Sequence, residues 1–160
     1  MGNLVRKVVA SDNPVLAAMI REVFDEHGAP REGTVYSDPT TDSLFELFQV
    51  PRSVLWVAET EEGIAGCCGI YPTQGLDEGC AELVKFYLAK HARGRGIGRE
   101  LMQTTIDSAK TFGYKLIYLE SFPEFSKAVG IYKKQGFERI DHPMGQSGHV
   151  SCTIWMVKKI

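Results

Sequence analysis

The 160-residue chain lacks a long apolar run, an excess of either charge sign, a cysteine framework, and any repeat or low-complexity tract. No segment approaches the ~18 uninterrupted apolar residues of a membrane-spanning helix. The chain opens Met1-Gly2, but Arg6 stands where a myristoylation pattern needs Ser or Thr. These absences predict a soluble, cytoplasmic protein with no membrane partner. With 18 Lys and Arg against 20 Asp and Glu, the net charge of −2 supplies no field to hold a nucleic-acid backbone, so no nucleic-acid partner is expected. Cys67, Cys68, Cys80 and Cys152 form neither a secreted disulfide pattern nor a CxxC spacing, which predicts reduced, mostly buried thiols. His27, His91, His142 and His149 are scattered, with no HExxH, so no metal is expected.

What the chain does contain is an ordinary globular balance, 44% apolar and 24% charged, at a length suited to one domain spanning residues 1–160. A strand is predicted over Leu4 to Val9. A helix follows from Pro14 to His27, started by Ser11 or Asp12, carrying Val15, Met19, Ile20, Val23 and Phe24 at helical spacing, and stopped by Gly28. A short helix with Leu44, Phe45, Leu47 and Phe48, capped by Thr41 or Asp42, ends before Pro51, and this helical pair reads as a flap. Val54 to Glu59, Ile64 to Tyr71 and Cys80 to Leu88 read as an antiparallel meander. Ile97 to Phe112 is an amphipathic helix ended by Gly113. Leu116 to Glu120 is a buried parallel strand, Pro123 or Glu124 to Gln135 a further helix, and Phe137 to Ile140 and Cys152 to Val157 are closing strands. The sum is an α/β fold, a mixed, mostly antiparallel sheet of about six to seven strands flanked by about four helices.

The most informative stretch is Arg93-Gly94-Arg95-Gly96-Ile97-Gly98-Arg99, which joins a predicted strand to a helix. Glycines let backbone N–H groups turn inward, the helix N-terminus adds about half a positive charge, and arginines pair with phosphate oxygens. A diphosphate suits such a nest. Walker A is excluded because no Lys-Ser or Lys-Thr closes the loop. The dinucleotide GxGxxG would need glycine where Arg99 stands, although Glu120 lies near the place of an acidic ribose partner, and the meander ahead of the loop is wrong for a Rossmann start.

On these residues the sequence resembles the GNAT family of N-acetyltransferases, whose signature Q/R-x-x-G-x-G/A is met by Arg93-Gly94-Arg95-Gly96-Ile97-Gly98, with Arg93 or Arg95 as the leading residue. The resemblance spans nearly the whole chain. It includes the strand Glu82 to Leu88 before the loop, and Ala128 to Phe137, which looks like the family's A-x-x-x-Y-x-x-x-GF helix. It implies acetyl-CoA as co-substrate, its pyrophosphate on the Gly94 to Arg99 nest and its pantetheine arm paired beside Phe86, Tyr87 and Leu88 as an added strand. It also implies that the Phe86 N–H faces the thioester carbonyl as an oxyanion donor. Glu82 matches the family's general base, a role that burial would favour by raising its pKa; a surface carboxylate on a strand end is the plainer alternative. Tyr132 matches the general acid that protonates the CoA thiolate, against the alternative of a core tyrosine. One departure is Phe125, where many members carry an Asn that contacts CoA. Lys127, Lys133 and Lys134 read either as contacts to the adenosine 3′-phosphate or as solvated lysines.

The implied reaction moves acetyl to a primary amine of a small molecule or peptide by direct attack in a ternary complex. A non-catalytic acyl-CoA-binding regulatory module is the alternative, disfavoured because Glu82 and Tyr132 are both present. Between residues 21 and 50 the acidic Glu22, Asp25, Glu26, Glu32, Asp38, Asp42 and Glu46 outnumber Arg21 and Arg31, which would either draw in a cationic amine or form a solvated face. Tyr36, Phe48, Tyr71 and Phe122 are pocket or core aromatics. Many members of the family are dimers, and pairing of Cys152 to Val157 across a homodimer interface is left open.

Overall fold

The computed structural model describes residues 3–160; Met1 and Gly2, which open the myristoylation pattern, lie outside them. Seven strands form one sheet: β1 (Leu4–Lys7), β2 (Val54–Thr60), β3 (Gly63–Tyr71), β4 (Cys80–Leu88), β5 (Leu116–Ser121), β6 (Glu138–Ile140) and β7 (Ile154–Lys159). Their spatial order is β1-β2-β3-β4-β5-β7-β6, antiparallel except for β4 against β5. The helices are α1 (Asn13–His27), the single turn α2 (Leu44–Leu47), α3 (Ile97–Thr111) and α4 (Ser126–Lys134). The predicted mixed, mostly antiparallel α/β architecture therefore stands.

Helices α1 and α2 cover one face of the sheet, where Leu16, Ile20, Phe24, Leu44 and Val57 form one core. On the other face α3 and α4 cover a second core of Leu101, Met102, Ile106, Val129 and Tyr132 with Cys68, Ile70 and Leu83. Burying each large aliphatic side chain contributes about 1.5–3 kcal/mol, so both cores hold the sheet between its helices.

Several boundaries move. The buried stripe of α1 runs through Leu16 rather than Val15, which is 50% exposed. Asp12 does not cap α1 with its side chain; its carboxylate instead takes two hydrogen bonds from Arg6 (2.8 and 3.0 Å) and one from the Val9 N–H (2.8 Å), tying β1 to the helix entry. The expected helix from Pro123 begins as a 3-10 turn, Pro123–Phe125, and the closing strand starts two residues later than expected because Cys152 belongs to the preceding loop. Gly28 ends α1 at φ 63, in the left-handed region that a Cβ would strain.

Two features of β4 create the cleft. Its pairing with β5 covers only Cys80, Ala81 and Glu82 against Leu116, Ile117 and Tyr118, after which the strands part. Against β3 its register shifts between Cys67 and Gly69, so that Lys85 and Phe86 together face Cys68. This is a β-bulge, and Lys85 sits in it at φ 58, uncommon for a residue with a Cβ.

Candidate active site

A cavity of about 280 Å³ opens where β4 and β5 part. Its walls run from Arg93 and Gly94, beside the glycine loop, along β4 to Glu82, Glu120 and His149 at the far end, with Tyr132 of α4 on one side.

At the loop end Gly94 and Gly96 take φ 76 and 78, and a Cβ built on either would meet nothing within 4 Å. Glycine is therefore required there by backbone conformation, and the space above the loop is open. Gly98 has a different reason: its Cβ would lie 2.9 Å from Leu88 Cδ1 and 3.4 Å from Phe86 Cζ, so its absence lets α3 press onto β4. Gly96 stands at the N-cap and the Ile97 side chain is buried, leaving the first-turn N–H groups of Ile97, Gly98 and Arg99 without intrahelical acceptors. The three arginines are not equivalent. The Arg93 guanidinium is committed to Glu26 of α1 and to the Leu88 carbonyl (3.1 Å), and it holds the Glu26 carboxyl below the usual range. Arg95 lies 3.8 Å from Glu62, and both Arg95 and Arg99 are exposed at the loop rim.

Among the described residues no strand pairs with β4 beyond Glu82 on its β5 side, so Phe86, Tyr87 and Leu88 present a free edge to the cavity. An extended, amide-bearing chain fits such an edge as an added strand. The open first turn of α3 at its end fits an anionic diphosphate. The two features together suit CoA.

At the far end the Glu82 carboxyl is 4% exposed and accepts a hydrogen bond from Thr73 Oγ1 at 2.6 Å. Burial, reinforced by the negative charge of Glu120, pushes its pKa up to about 7, against the opposing pull of Thr73 and Lys85. The surface-carboxylate alternative is thereby set aside. Glu120 also faces the cavity and accepts hydrogen bonds from Tyr118 Oη (2.7 Å) and Ser147 Oγ (2.5 Å). Tyr132 is 5% exposed, its ring 5.8 Å from Phe86 and 5.9 Å from Phe137, and burial pushes its phenol pKa well up, so it keeps its proton at neutral pH. It is a core tyrosine that also lines the cavity.

Strand alternation by itself puts Lys85 on the face opposite Glu82. The bulge reverses this: Val84 and Tyr87 pack under α1 while Phe86 and Leu88 pack under α3, and Lys85 lines the same cavity as Glu82. Likewise unforeseen, His149 reaches the cavity from the β6–β7 loop and contacts Asp38 at 3.0 Å. Of the four aromatics read as pocket or core, Phe122 lines the cavity, whereas Phe48 and Tyr71 pack edge-to-face at 5.5 Å and Tyr36 packs on Phe24 at 6.0 Å. Phe125 joins that cluster, 5.2 Å from Phe24, and cannot supply an amide contact. Lys127 borders the cavity, whereas Lys133 and Lys134 do not.

Of the seven acidic residues in segment 21–50, four have basic partners, near and remote in sequence: Asp42 with Arg21 (2.7 Å), Asp25 with Arg31 (2.6 Å), Glu26 with Arg93 and Asp38 with His149. Among the described residues no helix is long and apolar enough to cross a membrane.

Residues 16–137 match the profile described as the Acetyltransferase (GNAT) family. The chain belongs to that family. It is an acetyl-CoA-dependent N-acetyltransferase. It is 33% identical over 158 residues to the Escherichia coli K12 protein named "Uncharacterized N-acetyltransferase YjgM", covering 98% of this chain and 95% of that one. An N-acetyltransferase of Schizosaccharomyces pombe is 32% identical over 75% of this chain and 72% of its own length. Among solved structures, a GNAT-family acetyltransferase of Staphylococcus aureus superposes with TM-score 0.82 at 19% identity over 99% of both chains. The PaiA N-acetyltransferase of Thermoplasma acidophilum, solved with coenzyme A, superposes with TM-score 0.78 at 20% identity over 100% of both. At those identities the two structures establish the fold.

Proposed function

We propose that this GNAT enzyme transfers acetyl from acetyl-CoA to a primary amine of a small molecule or peptide, by direct attack in a ternary complex within the cytoplasm. The observation that carries this reading is the pair of buried groups flanking one free strand edge: Glu82, with its raised pKa, on β4 and neutral Tyr132 on α4.

The amides at Gly94 to Arg99 hold the pyrophosphate, with exposed Arg95 and Arg99 adding charge; Arg93 acts through its backbone, since its guanidinium is engaged by Glu26. Phe86, Tyr87 and Leu88 pair with the pantetheine arm, and the Phe86 N–H donates to the developing oxyanion. An alkyl ammonium with pKa near 10 must lose a proton before it can attack. Glu82, half-ionised near neutral pH, takes that proton before attack; the neutral amine then forms the N–C bond and sheds its second proton to solvent, while Tyr132 gives its own proton to the sulfur as the C–S bond breaks. A resident metal has no role in this scheme.

Calorimetric titration with acetyl-CoA, with NAD and ATP at the same ionic strength as controls, tests the donor. Micromolar binding of acetyl-CoA alone is expected, followed by thiol release when amines are added. Binding without thiol release from any amine would favour the regulatory-module reading, and tighter binding of NAD would overturn both.

A further inference from the structure

We propose that Lys85 is a specificity-determining residue that receives a carboxylate of the acceptor, so that the acceptor is a small amino-carboxylate rather than a plain amine, an amide or a peptide N-terminus. This rests on the acetyltransferase reading and narrows its substrate.

Lys85 is 6% exposed and lines the cavity, yet it enters none of the ion pairs within 4.0 Å among the described residues. A buried ammonium without a counter-ion is costly, and proteins normally pair it. The carboxylates whose charges reach it are engaged elsewhere. Asp38 is held by His149 at 3.0 Å and by the Thr40 N–H and Oγ1 at 2.9 and 2.7 Å, and Glu82 by Thr73 at 2.6 Å. Burial accordingly depresses the Lys85 pKa, with the charges of Asp38 and Glu82 offsetting only part of the effect.

The residue is also put there at a backbone cost. Only the bulge, with Lys85 at φ 58 and its carbonyl accepting the Cys67 thiol at 3.0 Å, turns this side chain from the α3 core toward the cavity. The cavity is thus bipolar, with Glu82 and Glu120 at the β4–β5 seam and Lys85 three residues further along β4. A ligand carrying an amine and a carboxylate a few bonds apart matches both poles: the amine meets Glu82, and the carboxylate supplies the counter-ion Lys85 lacks. A peptide N-terminus would place a neutral amide carbonyl at Lys85.

The test measures kcat/KM by thiol release for each proteinogenic amino acid beside its C-terminal amide and its decarboxylated amine, with wild-type protein, Lys85→Gln and Lys85→Arg. Acetyl-CoA titration of each variant verifies that its donor site is intact. In the wild type at least one amino acid should exceed its amide by about 30-fold or more, the effect of a buried charge pair. Lys85→Gln should erase that preference mainly through KM while leaving the amide's kcat/KM within about threefold, and Lys85→Arg should restore part of it. Equal use of acids and amides, equal loss on both in Lys85→Gln, or no turnover of any panel member by protein that binds acetyl-CoA would overturn the proposal while sparing the donor assignment. Acetylation of Lys85 itself, seen by peptide mass spectrometry after incubation with acetyl-CoA, would also overturn it by making the amine a nucleophile. Failure to bind acetyl-CoA would instead strike the acetyltransferase reading first.

Discussion

At one end of the cavity seven consecutive residues, Arg93 to Arg99, supply the open amides and the rim arginines; at the other, Glu82, Lys85, Glu120 and His149 arrive from three separate stretches of chain. The glycine loop is local chemistry, in which φ 76 and 78 at two glycines and a helix start are enough to aim N–H groups at an anion. The acidic end is assembled chemistry, in which a carboxyl reaches a pKa of about 7 only because the sheet buries it beside a second carboxylate. Changes at the loop should therefore act on donor affinity one residue at a time, and changes at the acidic end on turnover, pH profile and folding together.

The sharpest test of this contrast is Glu82→Gln. Loss of a general base should lower kcat/KM by about 10²–10⁴-fold with acetyl-CoA affinity within about twofold of wild type. Steady-state kinetics beside calorimetry separates the two, and a large loss of donor affinity would erase the division between ends. The same carboxyl sets a pH dependence. Wild-type kcat/KM should rise with pH through about 7 as Glu82 ionises, and this limb should vanish in the variant. Stability moves the other way: with a folded pKa of about 7 above a reference of 4.5, the native state binds the extra proton, so the contribution is fully present below pH 4.5 and is lost as pH rises to 7. Denaturant midpoints at pH 5 and pH 8 should show wild type losing on the order of 2–3 kcal/mol from this group and Glu82→Gln losing less.

Tyr132→Phe should come next, with kcat lower by about 10²-fold and little change in melting temperature, because the ring keeps its contacts with Phe86 and Phe137. A stability loss without a kinetic one would make Tyr132 purely a core residue. At the loop, Gly98→Leu should weaken acetyl-CoA by more than about tenfold by pushing Leu88 and Phe86 off the strand edge, whereas Gly96→Ala, strained by about 1–2 kcal/mol but facing open space, should cost less. The smallest effect belongs to Glu26→Gln, which frees the half-exposed Arg93: a stability change below about 1 kcal/mol and donor affinity within about threefold.

Much of the frame was legible from residue patterns. The meander, the two long helices and the helix crossover to β5 follow from apolar periods of 2 and 3.6, and Gly28 stops α1 where its left-handed φ is needed. Glu82, Tyr132 and the glycine loop were singled out from the sequence, and all three border or adjoin one cavity. Misjudged were features that depend on a remote partner. Arg93 looked free for phosphate, but α1 brings Glu26 to it across 67 positions. Segment 21–50, read as either a draw for a cationic amine or a solvated face, has Asp42, Asp25 and Glu26 paired with Arg21, Arg31 and Arg93, and Asp38 in contact with His149.

By itself the sequence determined what rests on neighbouring residues: strand and helix periods, the stops at glycine, and a loop whose φ angles only glycine adopts without strain. Tertiary structure alone decided which β4 side chains share a face, because the bulge at Lys85 arises from register against β3 and reverses the alternation that period 2 dictates. It likewise decided that Glu120 lies close enough to Glu82 to raise its pKa, since charge interaction and desolvation depend on distance and burial through space rather than on separation along the chain.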